Sequence, residues 1–496
     1  MSLSKHQLTV YTLIIIVGAI LSTYSVYAVD VMNNDGMLYI EAAEAYLEGG
    51  FKKAMTVFSW PFLPLTISWF HSLTGASLES SGYVINAVLL IIASIAFLRV
   101  YEEIDTTNLP LWIPALFILA LPVFNDYRGY LIRGHGFWAF TLIALYFFIR
   151  YSKNPSHRLA ILWQGSIILA TLFRIEGIVF IALAPFSLLI HKETRRNFLA
   201  HFVKLNSIVI PASVTAAFII LNYIFSIEGL SRDLQLRLSY ILPSTLLKRL
   251  YAASAGIEEL MPRLSFNEAI LVASAGLAVL ITFKLAKNIN LLLLAVWAYG
   301  HNKRWLFLSK ESNIVLYFAL ISVIYLIVIT GNTLFISSRY TVLSVALLSI
   351  IPCQYLTYLF HKLRNDKRNI ASAILLSLVT LFFLDAIIHT GADQHSIVTA
   401  SNWVTSNIDR SSNIACTSKR FAFYSKRCTH HKRWKNTPEG INKLINNTKY
   451  DHLLLWVSHK DTTTLEYLKN NKQLILLKSF KNEKNDASYV YRIERQ

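Results

Sequence analysis

Residues 30–75 read DVMNNDGMLYIEAAEAYLEGGFKKAMTVFSWPFLPLTISWFHSLTG. This stretch follows the first long apolar run, Leu8–Ala28, and its own charges exclude a plain membrane span. Asp30 and Asp35 come where that run has just ended. After Asp35 the spacing of apolar residues predicts an amphipathic helix with Leu38, Ala42, Tyr46 and Leu47 on one face and Glu41, Glu44 and Glu48 largely on the other. The turn at residues 60–64 then leads into a second apolar helix.

The carboxylate of Asp35 has two explanations. Because Asp35 precedes Gly36 at a helix start, capping of the helix is one of them. The other is function, since a charged group held at a membrane surface is costly unless something uses it. We expect the helix to lie in the membrane interface with its apolar face on the bilayer.

Composition identifies the class of protein. The chain has 496 residues, of which 54% are hydrophobic, and this is too apolar for a soluble protein of that size. Runs long enough to cross a bilayer recur throughout. The net charge of +18 comes from Lys and Arg that cluster in short loops between apolar runs, which is typical of membrane topology. We therefore expect no nucleic-acid partner.

The basic loops predict the topology. Placing the groups near residues 150–158, 192–204, 284–310 and 362–368 in the cytoplasm requires about eleven spans, with the N-terminus inside and the tail outside. The spans fall near 8–28, 82–101, 110–125, 134–151, 158–173, 176–190, 205–226, 267–284, 313–330, 340–360 and 369–389. The run 158–190 is too long for one span, so we expect two short helices with Phe173–Gly177 as the outer turn. One long tilted helix, which would invert the downstream topology, is the alternative. Residues 291–300 are too short to span and are expected on the cytoplasmic face.

Two domains follow from this topology. Residues 1–390 form a membrane module with outer loops 29–80, 126–133 and 227–266. In residues 391–496 short hydrophobic runs alternate with polar, helix-compatible stretches, which predicts a small α/β domain outside the membrane. The fold class is thus mainly α, a polytopic membrane protein with a small C-terminal α/β domain.

The first loop carries a resemblance to a known family. Asp35-x-x-x-Tyr39-x-x-x-Ala43, then Gly49-Gly50 and Pro61-x-x-Pro64-Leu65, resembles the first outer loop of GT-C glycosyltransferases, such as protein O-mannosyltransferases and lipid A aminoarabinose transferases. The chain departs from the family at Gly36, where Glu is frequent, and at Ser59-Trp60-Pro61, where His-Pro-Pro is frequent. The resemblance implies transfer of a sugar from a polyprenyl-phosphate carrier to a glycan, lipid or protein, at the outer face of the inner membrane.

Site residues follow from the family pattern and from the chemistry that it needs. Asp35 matches the position of the family's base or acceptor-positioning residue, and Asp30 is the second candidate. Cations that hold the donor phosphate are expected among outer arginines, because the planar guanidinium can hold two phosphate oxygens. The candidates are Arg339, Arg128, Arg133 and Arg174, with Tyr39, Glu176, His135 and Tyr340 in supporting roles. Interfacial anchoring explains Arg128 and Arg133 equally well, and a mutual salt bridge explains Arg174 and Glu176.

Other classes of function fit less well. A transporter or flippase of lipid-linked sugars would explain the apolar bulk, but we find no paired inverted halves. A surface-polysaccharide polymerase or ligase usually carries its large loop late in the chain, whereas here the carboxylate-bearing loop comes first. We expect no cofactor, and no metal site is predicted, because no carboxylate pair has convincing metal spacing. The expected partners are the bilayer, a polyprenyl-phosphate sugar and the acceptor.

The cysteines add one prediction about the tail. Cys416 and Cys428 share an oxidising compartment if the tail lies outside, and they are expected to form a disulfide. The basic and aromatic segment SKRFAFYSKR between them is expected to be a surface loop. Cys353 lies in an apolar run and is expected to be unpaired.

Overall fold

The computed structural model describes residues 4–211, 215, 243–289, 291–387, 394–430 and 436–494. It is mainly helical and ends in a small sheet. The described chain divides into two compact units, Met1–Tyr24 with Ala42–Ile388, and Ser25–Glu41 with His389–Gln496. We call the first the membrane unit and the second the tail unit. Residues 25–41, which include the end of the first predicted span and the start of the first loop, belong to the tail unit. The domain boundary at residue 390 stays a prediction.

The membrane unit is built from helices. In chain order they are α1 (Lys5–Tyr27), α2 (Asn34–Val57, whose first residues belong to the tail unit), α3 (Phe62–Thr74), α4 (Leu78–Ile104), α5 (Trp112–Leu119), α6 (Pro122–Asn125), α7 (Gly134–Lys153), α8 (His157–Phe173), α9 (Gly177–Leu183), α10 (Lys192–Arg196), α11 (Phe198–Asn206), α12 (Pro243–Leu260), α13 (Phe266–Asn288), α14 (Leu291–Asn302), α15 (Ser312–Thr333), α16 (Ser338–Asn365) and α17 (Asn369–Ile387). Within the described residues, α1, α4, α13, α15 and α16 are long and apolar enough to cross a membrane. The count of eleven spans remains a prediction.

Several predicted helices take a different form. The run 110–125 breaks into α5 and α6, because Pro122 lacks a backbone donor and begins a new helix. The run 158–190 breaks at the predicted turn, with α8 ending at Phe173 and α9 beginning at Gly177, so two short helices are confirmed. After α9 the chain tightens into a 3₁₀ segment, Ala184–Ile190, that contains Pro185. Most of the predicted span 205–226 lies outside the described residues, as does the first part of loop 227–266.

Helix α2 departs from the interfacial helix expected for it. Its backbone breaks at Gly49 and Gly50, and Gly50 adopts a φ of 68°, in the left-handed region that favours glycine. The buried residues are not confined to the predicted apolar face. Met37, Ile40 and Ala43 are buried, whereas Leu47 is 44% exposed. The first turns of α2 are therefore buried on more than one side, and do not present a single apolar face.

The tail unit is a sheet covered by helices on both faces. Its helices are α18 (His395–Asn407), α19 (Lys419–Ser425), α20 (Pro438–Ile445) and α21 (Thr462–Asn470), and its strands are β1 (Ile414–Cys416), β2 (Cys428–His430), β3 (His452–Val457), β4 (Leu474–Lys481) and β5 (Ala487–Ile493). The strand order is β2-β1-β3-β5-β4. The first three strands run parallel and β5 is antiparallel to both of its neighbours. Alternate residues of β3 explain the two cores, since Leu453 and Leu455 join one and Leu454 joins the other.

The segment between Cys416 and Cys428 corrects the sequence prediction of a surface loop. It forms helix α19, and Phe421 and Phe423 are buried. Two aromatic rings in a basic segment are buried because their apolar area outweighs the polarity of their neighbours. A disulfide joins Cys416 to Cys428, with their Cα atoms 5.8 Å apart, and Cys353 is a buried free thiol.

Candidate functional site

The membrane unit gathers arginines and tyrosines that are distant in the sequence. The loop before α7 supplies Tyr127 and Arg133, the turn between α8 and α9 supplies Arg174 and Glu176, α15 supplies Tyr325, and the start of α16 supplies Arg339 and Tyr340. We call these residues the arginine–tyrosine cluster. Three of the four arginines predicted to hold the donor phosphate therefore belong to one region of this unit.

Arg174 and Glu176 form the buried centre of the cluster. Arg174 donates to both carboxylate oxygens of Glu176, at 3.2 Å from Nε and 2.5 Å from Nη2. Nη2 also lies 3.2 Å from the hydroxyl of Tyr325. Arg174 and Glu176 are each 8% exposed, and the charge of each buried group is neutralised by the other. This arrangement matches the predicted salt bridge in the turn Phe173–Gly177.

Gly177 is needed for that turn to close. A Cβ atom at this position would lie 2.8 Å from the Cα atom of Thr171, a separation that real Cβ atoms do not reach. Trp60 lies beside the same turn and donates through Nε1 to the carbonyl of Leu172 at 2.7 Å. The Trp-Pro sequence of the first loop thus contributes a hydrogen bond next to the buried pair.

Tyr340 connects the buried pair to a second arginine. The guanidinium of Arg174 lies 4.9 Å from the centre of the Tyr340 ring, and that of Arg339 lies 5.3 Å from it. Both distances fall within the range of cation–π attraction. Arg339 is half-buried at the first turn of α16. Burial raises the pKa of the Tyr127 hydroxyl, as does the charge of Asp126, while Ser337 and the charge of Arg339 lower it in part.

Arg133 adds another positive charge to the cluster. Its guanidinium lies 4.8 Å from the centre of the Phe58 ring, and its charge acts on Glu176. The side chain is half-buried. Arg133 thus places a further guanidinium in the region of the buried pair.

Arg128 has different surroundings from the arginines of the arginine–tyrosine cluster. It is 3% exposed and donates to Asn125 Oδ1 at 2.8 Å, to Ser22 Oγ at 3.1 Å and to the carbonyl of Gly18 at 3.3 Å. Burial lowers its pKa to about 10. These bonds tie the loop before α7 to α1.

His135 is fully buried against Trp138, at 5.1 Å between ring centres, and neither of its ring nitrogens has a hydrogen-bond partner among the described residues. We therefore do not assign Arg128 or His135 to the proposed donor site.

Residues 29–41 of the first loop, which carry Asp30 and Asp35 and which we call the carboxylate loop, lie in the tail unit. The surroundings of the two carboxylates differ. Asp30 Oδ2 accepts a hydrogen bond from the backbone nitrogen of Gln394, at 3.0 Å, at the start of α18. Asp35 lies in the first turn of α2 and is half-buried. The helix begins earlier than predicted, since the carbonyl of Asn33 accepts its first bond from Met37, so Asn33 occupies the cap position. Asp35 is therefore the second residue of the helix rather than its cap residue. Tyr39 is buried about one turn further on.

Sequence reasoning missed two members of the cluster. Tyr325 lies within an apolar run of α15 and carries no local signal, and Tyr127 was recognised only as part of an interfacial segment. No metal centre was expected, and no group of three or more His, Cys, Asp or Glu side chains able to hold a metal ion occurs in the part of the chain that the structure describes.

Comparison with known proteins identifies the fold. No protein-family model matches the sequence, and no curated protein matches it. The structure resembles the Archaeoglobus fulgidus oligosaccharyltransferase in its apo form, with a TM-score of 0.51 and 12% identity, over 91% of this chain and 69% of that one. The same enzyme tethered to an acceptor peptide gives a TM-score of 0.56 and 11% identity, over 97% and 74% of the two chains. ArnT from Cupriavidus metallidurans bound to undecaprenyl phosphate aligns over 97% of both chains with a TM-score of 0.43 and 12% identity. The chain has the fold of GT-C glycosyltransferases.

Proposed function

We propose that this protein is an integral-membrane glycosyltransferase that moves a sugar from a polyprenyl-phosphate carrier to a glycan, lipid or protein at the outer face of the inner membrane. The arginine–tyrosine cluster carries the proposal. Arg133, Arg174 and Arg339 bring three guanidinium groups to one region, and the buried pair of Arg174 and Glu176 holds the turn beside them. The GT-C fold supports a transfer reaction.

The cations have a defined task in such a reaction. When the bond between the sugar and the phosphate breaks, negative charge develops on the departing polyprenyl phosphate. Arg339 and Arg133 would stabilise that charge, and would do so more strongly in an apolar unit than in water. Arg339 lies at the N-terminus of a long helix, where the backbone dipole also favours an anion. The ion pair of Arg174 and Glu176 would hold Tyr340 and the neighbouring turn in place.

A carboxylate completes the proposed chemistry. Asp35 would take the proton from the acceptor nucleophile as that nucleophile attacks the anomeric carbon, and the phosphate would leave with the electrons of the broken bond. Asp30 is the second candidate, because it lacks the spacing to Tyr39 and Ala43 that Asp35 has. Neither a cofactor nor a metal is part of the proposal.

The test compares the two carboxylates directly. Purified protein in lipid nanodiscs would be given polyprenyl-phosphate sugars and candidate acceptors, and release of polyprenyl phosphate would be measured with and without a chelator. We expect Asp35→Asn to lower kcat by about 100-fold or more, the usual contribution of a general base, at normal abundance and stability. Asp30→Asn should retain measurable transfer.

The outcomes separate the two parts of the proposal. Near-normal activity of Asp35→Asn would exclude this carboxylate as the base but leave the transferase assignment standing. If wild-type protein releases no polyprenyl phosphate from any lipid-linked sugar, and no such lipid accumulates when the gene is deleted, the function itself is wrong. Loss of activity in the chelator would show that a metal is required.

A further inference from the structure

The tail unit contains more than the sheet and its helices, since residues 25–41, from the end of α1 to the second turn of α2, also belong to it. Val31 is 7% exposed and belongs to the same apolar core as Ile397, Phe421 and Leu454. A residue of the carboxylate loop is thus part of the hydrophobic core of the C-terminal domain. This anchor lies on the N-terminal side of Asp35.

Two hydrogen bonds and an ion pair secure the same segment. The backbone nitrogen of Met32 donates to the hydroxyl of Tyr424 at 2.8 Å, and Asp30 accepts from Gln394. On the other side of Asp35, Lys419 Nζ lies 2.9 Å from Glu41 Oε2. Asp35 is therefore bracketed by contacts before it in the sequence and by a contact in the second turn of its own helix. Tyr424 and Lys419 both belong to α19.

Helix α19 is itself held firmly. The disulfide closes the segment that contains it, and Phe421 packs in the core beneath it. Just beyond its end, Arg427 donates to the carbonyls of Val404 and Ile408 at the end of α18, at 3.1 and 2.7 Å. An element fixed at both ends is suited to fix another segment in turn.

We infer that α19 is a positioning element for the carboxylate loop, with Tyr424 and Lys419 as the positioning residues that hold Asp35 in place. The inference rests on the proposed function, because it assigns the tail domain a part in the transfer step. Neither residue needs to touch substrate. Their effect on the rate comes from the geometry of Asp35, since small displacements of a catalytic group are costly.

The first experiment exchanges the charges of the ion pair. Lys419→Glu and Glu41→Lys each place like charges together, and the double variant restores an ion pair of opposite direction. The pair is about one-third exposed, so its loss should have little effect on folding. We expect each single variant to lower kcat by about three- to tenfold with the KM for the lipid donor unchanged, and the double variant to recover most of the loss. Lys472→Glu, an exposed charge reversal elsewhere in the domain, is the control.

The second experiment removes one hydroxyl. Tyr424→Phe keeps the ring and deletes the acceptor of the Met32 hydrogen bond, and we expect a similar fall in kcat. Tyr467→Phe is the matched control, because it deletes a hydroxyl that bonds Asn471 within the same domain. Hydrogen exchange of residues 30–41 should accelerate in Tyr424→Phe and in the single charge variants, and not in either control.

These readouts distinguish failure of the inference from failure of the proposed function. Wild-type kcat in all single variants, or a loss that the double variant does not recover and that tracks whole-protein stability, would overturn the positioning role. Unchanged exchange in residues 30–41 would overturn it as well, whatever the activity. If the wild type transfers no sugar while exchange responds as expected, the proposed function fails and the anchoring of the loop by α19 stands.

Discussion

At the scale of single residues, surroundings separate side chains that look alike in the sequence. Asp30 and Asp35 follow the same apolar run, yet Asp30 accepts from the backbone of α18 and Asp35 lies in the first turn of α2. Arg128 and Arg133 lie in one short loop, yet Arg128 is enclosed by bonds to Asn125 and α1 while Arg133 joins the arginine–tyrosine cluster. Residue type alone does not assign a role in either case.

Arg339 offers a direct test of donor binding. Arg339→Ala should lower kcat/KM for the lipid donor by about 10- to 100-fold, the range for a charged hydrogen bond. Arg339→Lys should remain well below the wild type, because an ammonium cannot hold two phosphate oxygens in the same fork. The measurement is steady-state release of polyprenyl phosphate at varied donor concentration.

Arg263 supplies the control for that experiment, since it is an exposed arginine in the loop between α12 and α13. Arg263→Ala should behave as the wild type. Full activity of Arg339→Lys would contradict bidentate binding of the phosphate, and full activity of Arg339→Ala would remove Arg339 from the donor site.

Asp486 predicts how the tail domain responds to acid. Burial raises the pKa of this carboxyl, but hydrogen bonds from the backbone and side chain of His459, from Ser458 and from Asn482 lower it more, to about 2 from 3.8. A folded-state pKa below the unfolded one stabilises the fold above the unfolded pKa. That contribution should be lost as the pH falls from about 4 towards 2.

Hydrogen exchange of β5 measures this effect. Comparing Asp486→Asn with the wild type at each pH cancels the intrinsic pH dependence of exchange. We expect the variant to exchange faster at pH 5 and the two proteins to converge near pH 2. A constant ratio across that range would show that the Asp486 charge contributes nothing to stability.

At the scale of elements, the turn between α8 and α9 offers a test of how a buried ion pair contributes to stability. Glu176→Gln would leave the Arg174 guanidinium buried without its counter-ion, which typically costs about 3–5 kcal/mol. The exposed pair of Lys53 and Glu48, at 2.6 Å, is the matched control, and Glu48→Gln should cost less than about 1 kcal/mol. Unfolding of the purified protein in a mixed-micelle denaturant series compares them.

A second variant tests whether the loss of stability in Glu176→Gln comes from the unpaired charge of Arg174. Arg174→Met combined with Glu176→Gln removes the charge together with its partner, and should be more stable than Glu176→Gln alone. If Glu176→Gln proves as stable as Glu48→Gln, the pair is not buried in the way the structure has it.

At the scale of the whole molecule, orientation in the membrane is the outstanding prediction. The basic loops predict that the N-terminus and residues 192–204 lie in the cytoplasm and that the tail lies outside. A reporter active only in the periplasm should therefore be active when fused after Gln496 and silent when fused after Arg196. The reverse pattern would place every proposed site residue on the wrong side of the membrane.

Several properties could be predicted from the sequence because they depend on local chemistry. Apolar runs predicted a polytopic protein, the charges at Arg174 and Glu176 predicted the break between α8 and α9, and alternating short runs predicted an α/β tail. The three-residue strand β2 was not predicted, because Cys428–His430 has no hydrophobic run of its own. The many basic residues around helix α19 predicted a surface loop there. The burial of its two aromatic rings, which makes it a helix of the core, depends on tertiary packing.

Only the tertiary structure brought distant residues together. The grouping of Arg133 and Glu176 with Tyr325 and Arg339 depends on how the helices pack, and no single helix carries a signal of its neighbours. The same holds for Val31, whose place in the tail core is set by a contact across most of the chain. Sequence periodicity reports which face of an element is apolar, whereas packing decides which element covers that face.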